Sequence, residues 1–134
     1  MLDISVNNAK LETFVGDGIL IATSVGSTAY NLSFGGSIVF NSFHTLQITP
    51  IAPLNSKVYR SLLNSVIIPE NISIEIKPRK NNDILVSIDG ENKKFDNVEY
   101  IRTCVLKKRI KCLRLENYNY IDKINDKFLS NAED

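Results

Sequence analysis

The feature that most constrains this chain is an alternation of apolar and polar residues with a period of two, repeated in short runs. Ile72, Ile74 and Ile76 alternate with Ser73, Glu75 and Lys77. Successive side chains of an extended strand point to opposite faces, so such a run puts one face on a core and the other in water. Ile84, Val86 and Ile88 share a face in the same way, and Asp89-Gly90 follows as a turn that tolerates positive φ and can close a hairpin. Ile4 and Val6 lead into Asn7-Asn8, and Leu11 to Val15 follows, which reads as another hairpin. Gly18 to Thr23 (GILIAT) is apolar throughout, as a strand covered on both faces would be. Leu46 to Ile51, Val66 to Ile68, Val98 to Thr103 and Val105 to Leu115 are further strand candidates. Several short strands with few helices predict a mainly β, β-sandwich-like domain or a closed sheet.

Two helices interrupt this pattern. The first is expected over Ser27 to Phe34, where Ser27 or Thr28 can cap the start and Gly35-Gly36 can end it. The second is expected over Tyr120 to Leu129, where Ile121, Ile124 and Phe128 form one apolar stripe. That stripe must be buried, either on this sheet or on a domain outside the chain. Beyond it lies a polar tail, Ser130 to Asp134.

Composition narrows the function classes. With 134 residues and 43% hydrophobic content the chain can build one core without metals or disulfides. A net charge of +1 argues against a nucleic-acid surface, which shows a strong basic excess. The local cluster Lys107, Lys108, Arg109 and Lys111 reads as the solvated face of a strand. Cys104, Cys112 and the single His44 are too few for a zinc site of the usual kind, so the cysteines are expected as buried free thiols in a reducing compartment. The N-terminus has no basic and apolar signal regions and no run reaches membrane-span length, so a cytoplasmic, soluble protein is the expectation.

The segment Gly16 to Gly36, GDGILIATSVGSTAYNLSFGG, carries the most chemistry. A strand ends at Thr23, Gly26 permits an unusual loop, and a helix follows. The first N–H groups of a helix lack intrahelical partners and can meet an anion or a polar ring edge. Tyr30 and Ser33 are three residues apart and share a helix face, and small Ala29 leaves room beside them. A flat ring could stack on Tyr30 while polar groups meet Thr28, Ser33 and backbone amides. The bland alternative, a capped helix with a core tyrosine, is equally compatible with the spacing. The segment lacks the Lys-Ser/Thr end of a Walker loop, the glycine order of a dinucleotide fingerprint, and the G-x-S-x-G of a nucleophile elbow.

The pattern GDG-x4-T-x2-GSTAYNLS-x-GG resembles the signature of the NAD kinase family, whose middle usually reads T-P-T-G-S-T-A-Y. Ile48 to Pro53 (ITPIAP), Val86 to Gly90 (VSIDG) and Asn117 to Leu129 are similar to later segments of the family, in the same order and spacing. Ser24-Val25 replaces the usual Pro-Thr, and IAPLNSKVYRSL resembles the family's version with an Asn before a Tyr-Arg pair.

The resemblance implies residues 1–134 as a C-terminal dinucleotide-binding domain. The implied reaction is phosphoryl transfer to the 2′-hydroxyl of the NAD adenosine ribose, giving NADP, with ATP or polyphosphate as donor and Mg2+ travelling with the ATP phosphates. The family's Gly-Gly-Asp-Gly motif, whose Asp serves as base, belongs to an N-terminal α/β domain. That motif and the family's Asn-Glu pair are absent from this sequence. No catalytic residue and no metal ligand are therefore assigned here, and Asp17 does not inherit the base's role. By the resemblance, Tyr30 stacks on or walls off a ring of the dinucleotide, and Thr28, Ala29, Asn31, Leu32 and Ser33 line the same pocket. Asp17 would accept a hydrogen bond from an amide or ribose, and Ala52 would meet a ring edge through its backbone. Family members are homo-oligomers, which leaves Asp17 and Ala52 open to serving a neighbouring subunit's site. The implied partners are NAD or NADP and the N-terminal domain, with no nucleic acid and no membrane. Asp89 is read first as a turn residue. The rival readings are the C-terminal half of a related lipid kinase and a non-catalytic NAD(P)-binding or regulatory module.

Overall fold

The computed structural model describes residues 1–80, 83–107 and 110–130. Nine strands and two α-helices are present in it. β1 (Leu2–Val6) and β2 (Ala9–Phe14) pair antiparallel, and β1 pairs on its other side with β6 (Ile74–Pro78), which in turn pairs with β9 (Ile101–Thr103). A second sheet holds β3 (Gly18–Thr23), β4 (Thr45–Ile51) and β5 (Val66–Pro69) in that order, all antiparallel. β7 (Ile84–Ile88) and β8 (Glu91–Phe95) form a separate hairpin. The first two sheets share one core, Ile4, Phe14, Leu46, Ile48, Ile68, Ile74 and Ile76. That shared core is what makes the domain mainly β and sandwich-like, as the period-two runs require.

The turn chemistry follows the sequence. Asn7 and Asn8 have φ of 49° and 66°, the left-handed pair that a two-residue hairpin needs, and Asn pays little for it. Asp89 and Gly90 have φ of 49° and 90°, so the turn role accounts for Asp89.

β4 is the strand that matters most for function. All seven of its residues are buried or half-buried, Leu46 to Pro50 fully and Thr45 and Ile51 partly, so both faces are covered. Leu46 and Ile48 point into the apolar core. Gln47 and Thr49 alternate with them and are 1% and 0% exposed, lying beneath the chain that follows β3. A strand that is apolar on one face and carries a buried amide and hydroxyl on the other must have polar partners there.

Several expectations need correction. The strand expected over Val105 to Leu115 does not form among its described residues, which are irregular. Leu106, Ile110, Leu113 and Leu115 are all strongly exposed, and among the described residues no strand pairs with that segment. Cys104 and Cys112 are exposed rather than buried for the same reason. The cluster around Lys107 lies partly outside the described residues, as does the tail after Ser130. The strand from Val98 is shorter than expected, Ile101–Thr103. β8, with its sequence ENKKF, has no apolar alternation and every residue of it is exposed, but it supplies the second arm of the hairpin expected at Asp89-Gly90.

The C-terminal helix α2 (Tyr120–Phe128) forms as expected, and the Asn119 side chain caps it by accepting from the Ile121 amide at 3.0 Å. Tyr120 anchors it to the body of the domain, its hydroxyl donating to the Val39 carbonyl at 3.1 Å and its ring lying 4.9 Å from that of Phe40. No helix among the described residues is long and apolar enough to cross a membrane.

Candidate dinucleotide site

The segment after β3 folds differently from the single helix expected over Ser27 to Phe34. Val25–Thr28 is one 3-10 turn, Ala29 breaks it with φ −105° and ψ −137°, and α1 (Tyr30–Ser33) is a single α-turn. Neither Ser27 nor Thr28 acts as a side-chain cap. The reason is visible in Ser27, which is 0% exposed: its hydroxyl donates to the Ser24 carbonyl at 2.7 Å and accepts from the Val39 amide at 3.0 Å. The amides of Ser27, Ala29 and Leu32 are used in turn bonds to Ser24, Gly26 and Ala29. Those three N–H groups are therefore not on offer to a ligand.

The glycine end of the segment behaves as expected. Gly35 has φ 77°, its amide donates to the Leu32 carbonyl at 3.1 Å, and the Gly36 amide donates to the Asn31 carbonyl at 2.9 Å. This is the paired bonding of a Schellman stop. Gly36 is needed for another reason: a Cβ there would lie 2.3 Å from the Asn31 side-chain amide.

The candidate residues divide by exposure. Tyr30 is 73% exposed, which removes the core-tyrosine alternative and leaves a ring face open to solvent. Ala29 and Ser33 are exposed beside it, and Thr28 and Leu32 are half-buried. Asn31 is 1% exposed and faces inward. Its Oδ1 accepts from Thr49 Oγ1 at 2.6 Å, its Nδ2 donates to the Ser27 and Ser37 carbonyls at 3.2 and 3.3 Å, and its amide is in hydrogen-bond contact with that of Gln47.

They also divide by position. Thr28 to Ser33 follow the C-terminal end of β3, whereas Asp17 and Ala52 sit at its other end, where Gly18 pairs with Ile51 and the Asp17 amide donates to the Ile51 carbonyl at 3.1 Å. The six residues of β3 separate the groups, a span of about 17 Å at about 3.3 Å per residue. Asp17 and Ala52 are both exposed and adjacent. Ala52 has φ 44°, a left-handed conformation that an L-alanine rarely adopts. Gly16 makes this possible, because a Cβ there would lie 2.7 Å from the Ala52 carbonyl oxygen and 2.4 Å from the Phe14 ring.

Sequence reasoning missed the contribution of α2 to this region. Lys127 Nζ donates to the Thr28 carbonyl at 3.0 Å, and a cleft of about 50 Å³ between Thr28 and α2 is lined also by Asn41, Tyr118 and Lys123. Pockets that enclose a drug-sized ligand run to about 300–1,000 Å³. The cleft is thus too small to enclose a dinucleotide, and the exposed face of Tyr30 is one wall rather than a closed pocket. Among the described residues no three His, Cys, Asp or Glu side chains gather as a metal cage.

Comparison with known proteins gives a consistent result. Residues 1–114 match the family model described as the ATP-NAD kinase C-terminal domain. The chain is 41% identical over 133 residues to an NAD kinase of Finegoldia magna, covering 96% of this chain and 48% of that protein. It is 38% identical over 132 residues to an NAD kinase of Streptococcus agalactiae, again covering 48% of the relative. In three dimensions it is similar to yeast NADH kinase complexed with NADH, with a TM-score of 0.62 and 35% identity over 75% of this chain and 28% of that one. An NAD kinase from Archaeoglobus fulgidus in complex with ATP gives a TM-score of 0.62 at 27% identity, over 75% of this chain and 37% of that one. The chain spans about half the length of the curated relatives it matches.

Proposed function

The chain belongs to the ATP-NAD kinase C-terminal domain family, and from that premise we propose that it is the dinucleotide-holding half of an NAD kinase. The observation that carries this reading is the exposed ring of Tyr30 on a short turn whose underside is fixed by buried hydrogen bonds. An aromatic face on a braced turn suits a purine or nicotinamide ring, because fixing the backbone beneath it lowers the entropic cost of stacking. The Thr28 and Ser33 hydroxyls beside it can donate to or accept from ring edges and ribose oxygens.

Asp17 and Ala52 cannot line the same ring's pocket within one copy, because a strand's length separates them from Tyr30. The proposal therefore has two copies of the chain meet so that Asp17 and Ala52 of one complete the site built on Tyr30 of the other. An exposed carboxylate beside a strained, outward-facing backbone is suited to reading an amide or hydroxyl edge of the ligand.

Phosphoryl transfer requires a base within hydrogen-bond reach of the ribose hydroxyl and neutralisation of charge on the transferring group. This chain contains neither the Gly-Gly-Asp-Gly motif nor a metal cage among its described residues. Its own contribution is binding and orientation of the dinucleotide, with the base and the donor site supplied by the α/β half of the enzyme. The test is an enzyme-coupled assay for NADP with the 134-residue chain, NAD, magnesium and either ATP or polyphosphate, run beside calorimetric titration with NAD. Binding without turnover is expected. Turnover by the chain alone would overturn the assignment of the base, and absence of NAD binding would overturn the dinucleotide role.

A further inference from the structure

The side chains that hold the Tyr30 turn in place lie on a different strand from the turn itself. Gln47 and Thr49 of β4 are fully buried polar groups on the face of the strand opposite the apolar core. Thr49 Oγ1 donates to Asn31 Oδ1 at 2.6 Å, and the Gln47 amide contacts both the Asn31 amide and Ser37. Asn31 passes these contacts on to the Ser27 and Ser37 carbonyls, one on each side of Tyr30 in the chain. Gly36 leaves the space that the Asn31 amide occupies. The 3-10 turn before Ala29 and the α-turn after it are each too short to be stable alone. Their relative placement rests on this network.

We propose that Thr49, Gln47 and Asn31 are positioning residues for dinucleotide binding: they fix the Tyr30 ring and the Thr28 hydroxyl relative to the sheet without touching the ligand. This rests on the dinucleotide reading given above. A buried polar network has two possible roles, to specify the fold or to aim a surface group, and its location favours the second. The core that joins the two sheets is apolar and lies on the other face of β4, so the sandwich does not depend on Thr49. The element that does depend on it is the one carrying the exposed aromatic ring.

The experiment uses the 134-residue chain and the pair Thr49→Val and Thr49→Ser. Valine keeps the shape and removes the donor, leaving Asn31 Oδ1 short of a partner; serine keeps the donor and removes a methyl group. NAD affinity is measured by calorimetry well below the melting temperature, and amide hydrogen exchange is followed residue by residue. Leaving a buried acceptor unsatisfied costs enough that Thr49→Val is expected to weaken NAD binding about tenfold. Thr49→Ser is expected to stay within about twofold of the parent. In the valine variant the hydrogen-bonded amides of Ala29, Leu32, Gly35 and Gly36 exchange faster, while those of β1 and β6 keep their protection. Parent-like affinity in a folded Thr49→Val chain, or equal losses in both variants, would overturn the positioning role while leaving the dinucleotide reading intact. A parent chain that binds no NAD overturns both.

Discussion

Replacing Tyr30 by alanine is expected to weaken NAD binding more than it weakens the fold. An aromatic side chain can bury about 150–250 Å², and Tyr30 is 73% exposed. Only about a quarter of that area, about 50 Å², is therefore withdrawn from water by the fold. At about 25 cal/mol per Å² this is worth about 1.2 kcal/mol at most, since alanine retains part of the contact. For a domain of this size that corresponds to a fall in melting temperature of about 5 °C or less. If the ring is the stacking platform, removing it costs the complex about 1–3 kcal/mol. That is about a 5- to 150-fold weaker dissociation constant. The assay is calorimetric titration with NAD in parallel with thermal unfolding of the same samples. An unchanged affinity would take Tyr30 out of the site, and a melting temperature lowered far more than the affinity would mean that the ring works for the fold instead.

The remaining predictions test the other end of β3 and the surface. Gly16→Ala places a Cβ 2.4 Å from the Phe14 ring and 2.7 Å from the Ala52 carbonyl, so chemical denaturation should show a loss of about 1–3 kcal/mol from overpacking. A variant as stable as the parent would contradict the described packing at that corner. Asp3 accepts from Thr13 Oγ1 at 2.6 Å and pairs with Lys10 and Arg79, each at 3.1 Å; the Thr13 hydroxyl foremost, joined by the two cations, outweighs the opposing cost of burial and holds its carboxyl below its ordinary value. A carboxylate with a lowered pKa stabilises the fold at pH above its ordinary value of about 4 and loses that contribution as pH falls through the native value. Asp3→Asn should therefore reduce stability at neutral pH and flatten the acid limb of the stability curve below about pH 4, and an unchanged acid limb would remove Asp3 from the account.

The readable part of the fold was that in which one face of a strand meets the core. Ile74 and Ile76, Ile4, and Leu46 with Ile48 all lie where their alternation puts them, because apolar burial is set by local pattern. The left-handed turns at Asn7-Asn8 and Asp89-Gly90 were legible because few residues accept those angles. What the sequence hid depends on partners distant along the chain. Val105 to Leu115 has the composition of a strand, but its described residues pair with no strand among the described residues. β8 is a strand only because β7 lies beside it. In the candidate site, Tyr30, Thr28 and Ser33 were recognisable from the motif, but the inward turn of Asn31 was not, because it depends on Gln47 and Thr49, sixteen and eighteen residues away. The alternating polar residues in TLQITP were the available signal: Thr45, Gln47 and Thr49 share one face of β4, opposite the apolar face of Leu46 and Ile48. The predicted strand Gly18 to Thr23 already separates Asp17 from Thr28 to Ser33, but the placement of Ala52 beside Asp17 was beyond pattern reading, since it needs the register that places Gly18 opposite Ile51.

The most direct examination of the central idea is residue-resolved NMR of the isotope-labelled chain during titration with NAD. The account predicts that the largest saturable shifts fall on Thr28 to Ser33, with a second group at Asp17 and Ala52 if two copies share the ligand. Saturable shifts confined to the β7–β8 hairpin or to α2, with the Tyr30 turn unmoved, would contradict it.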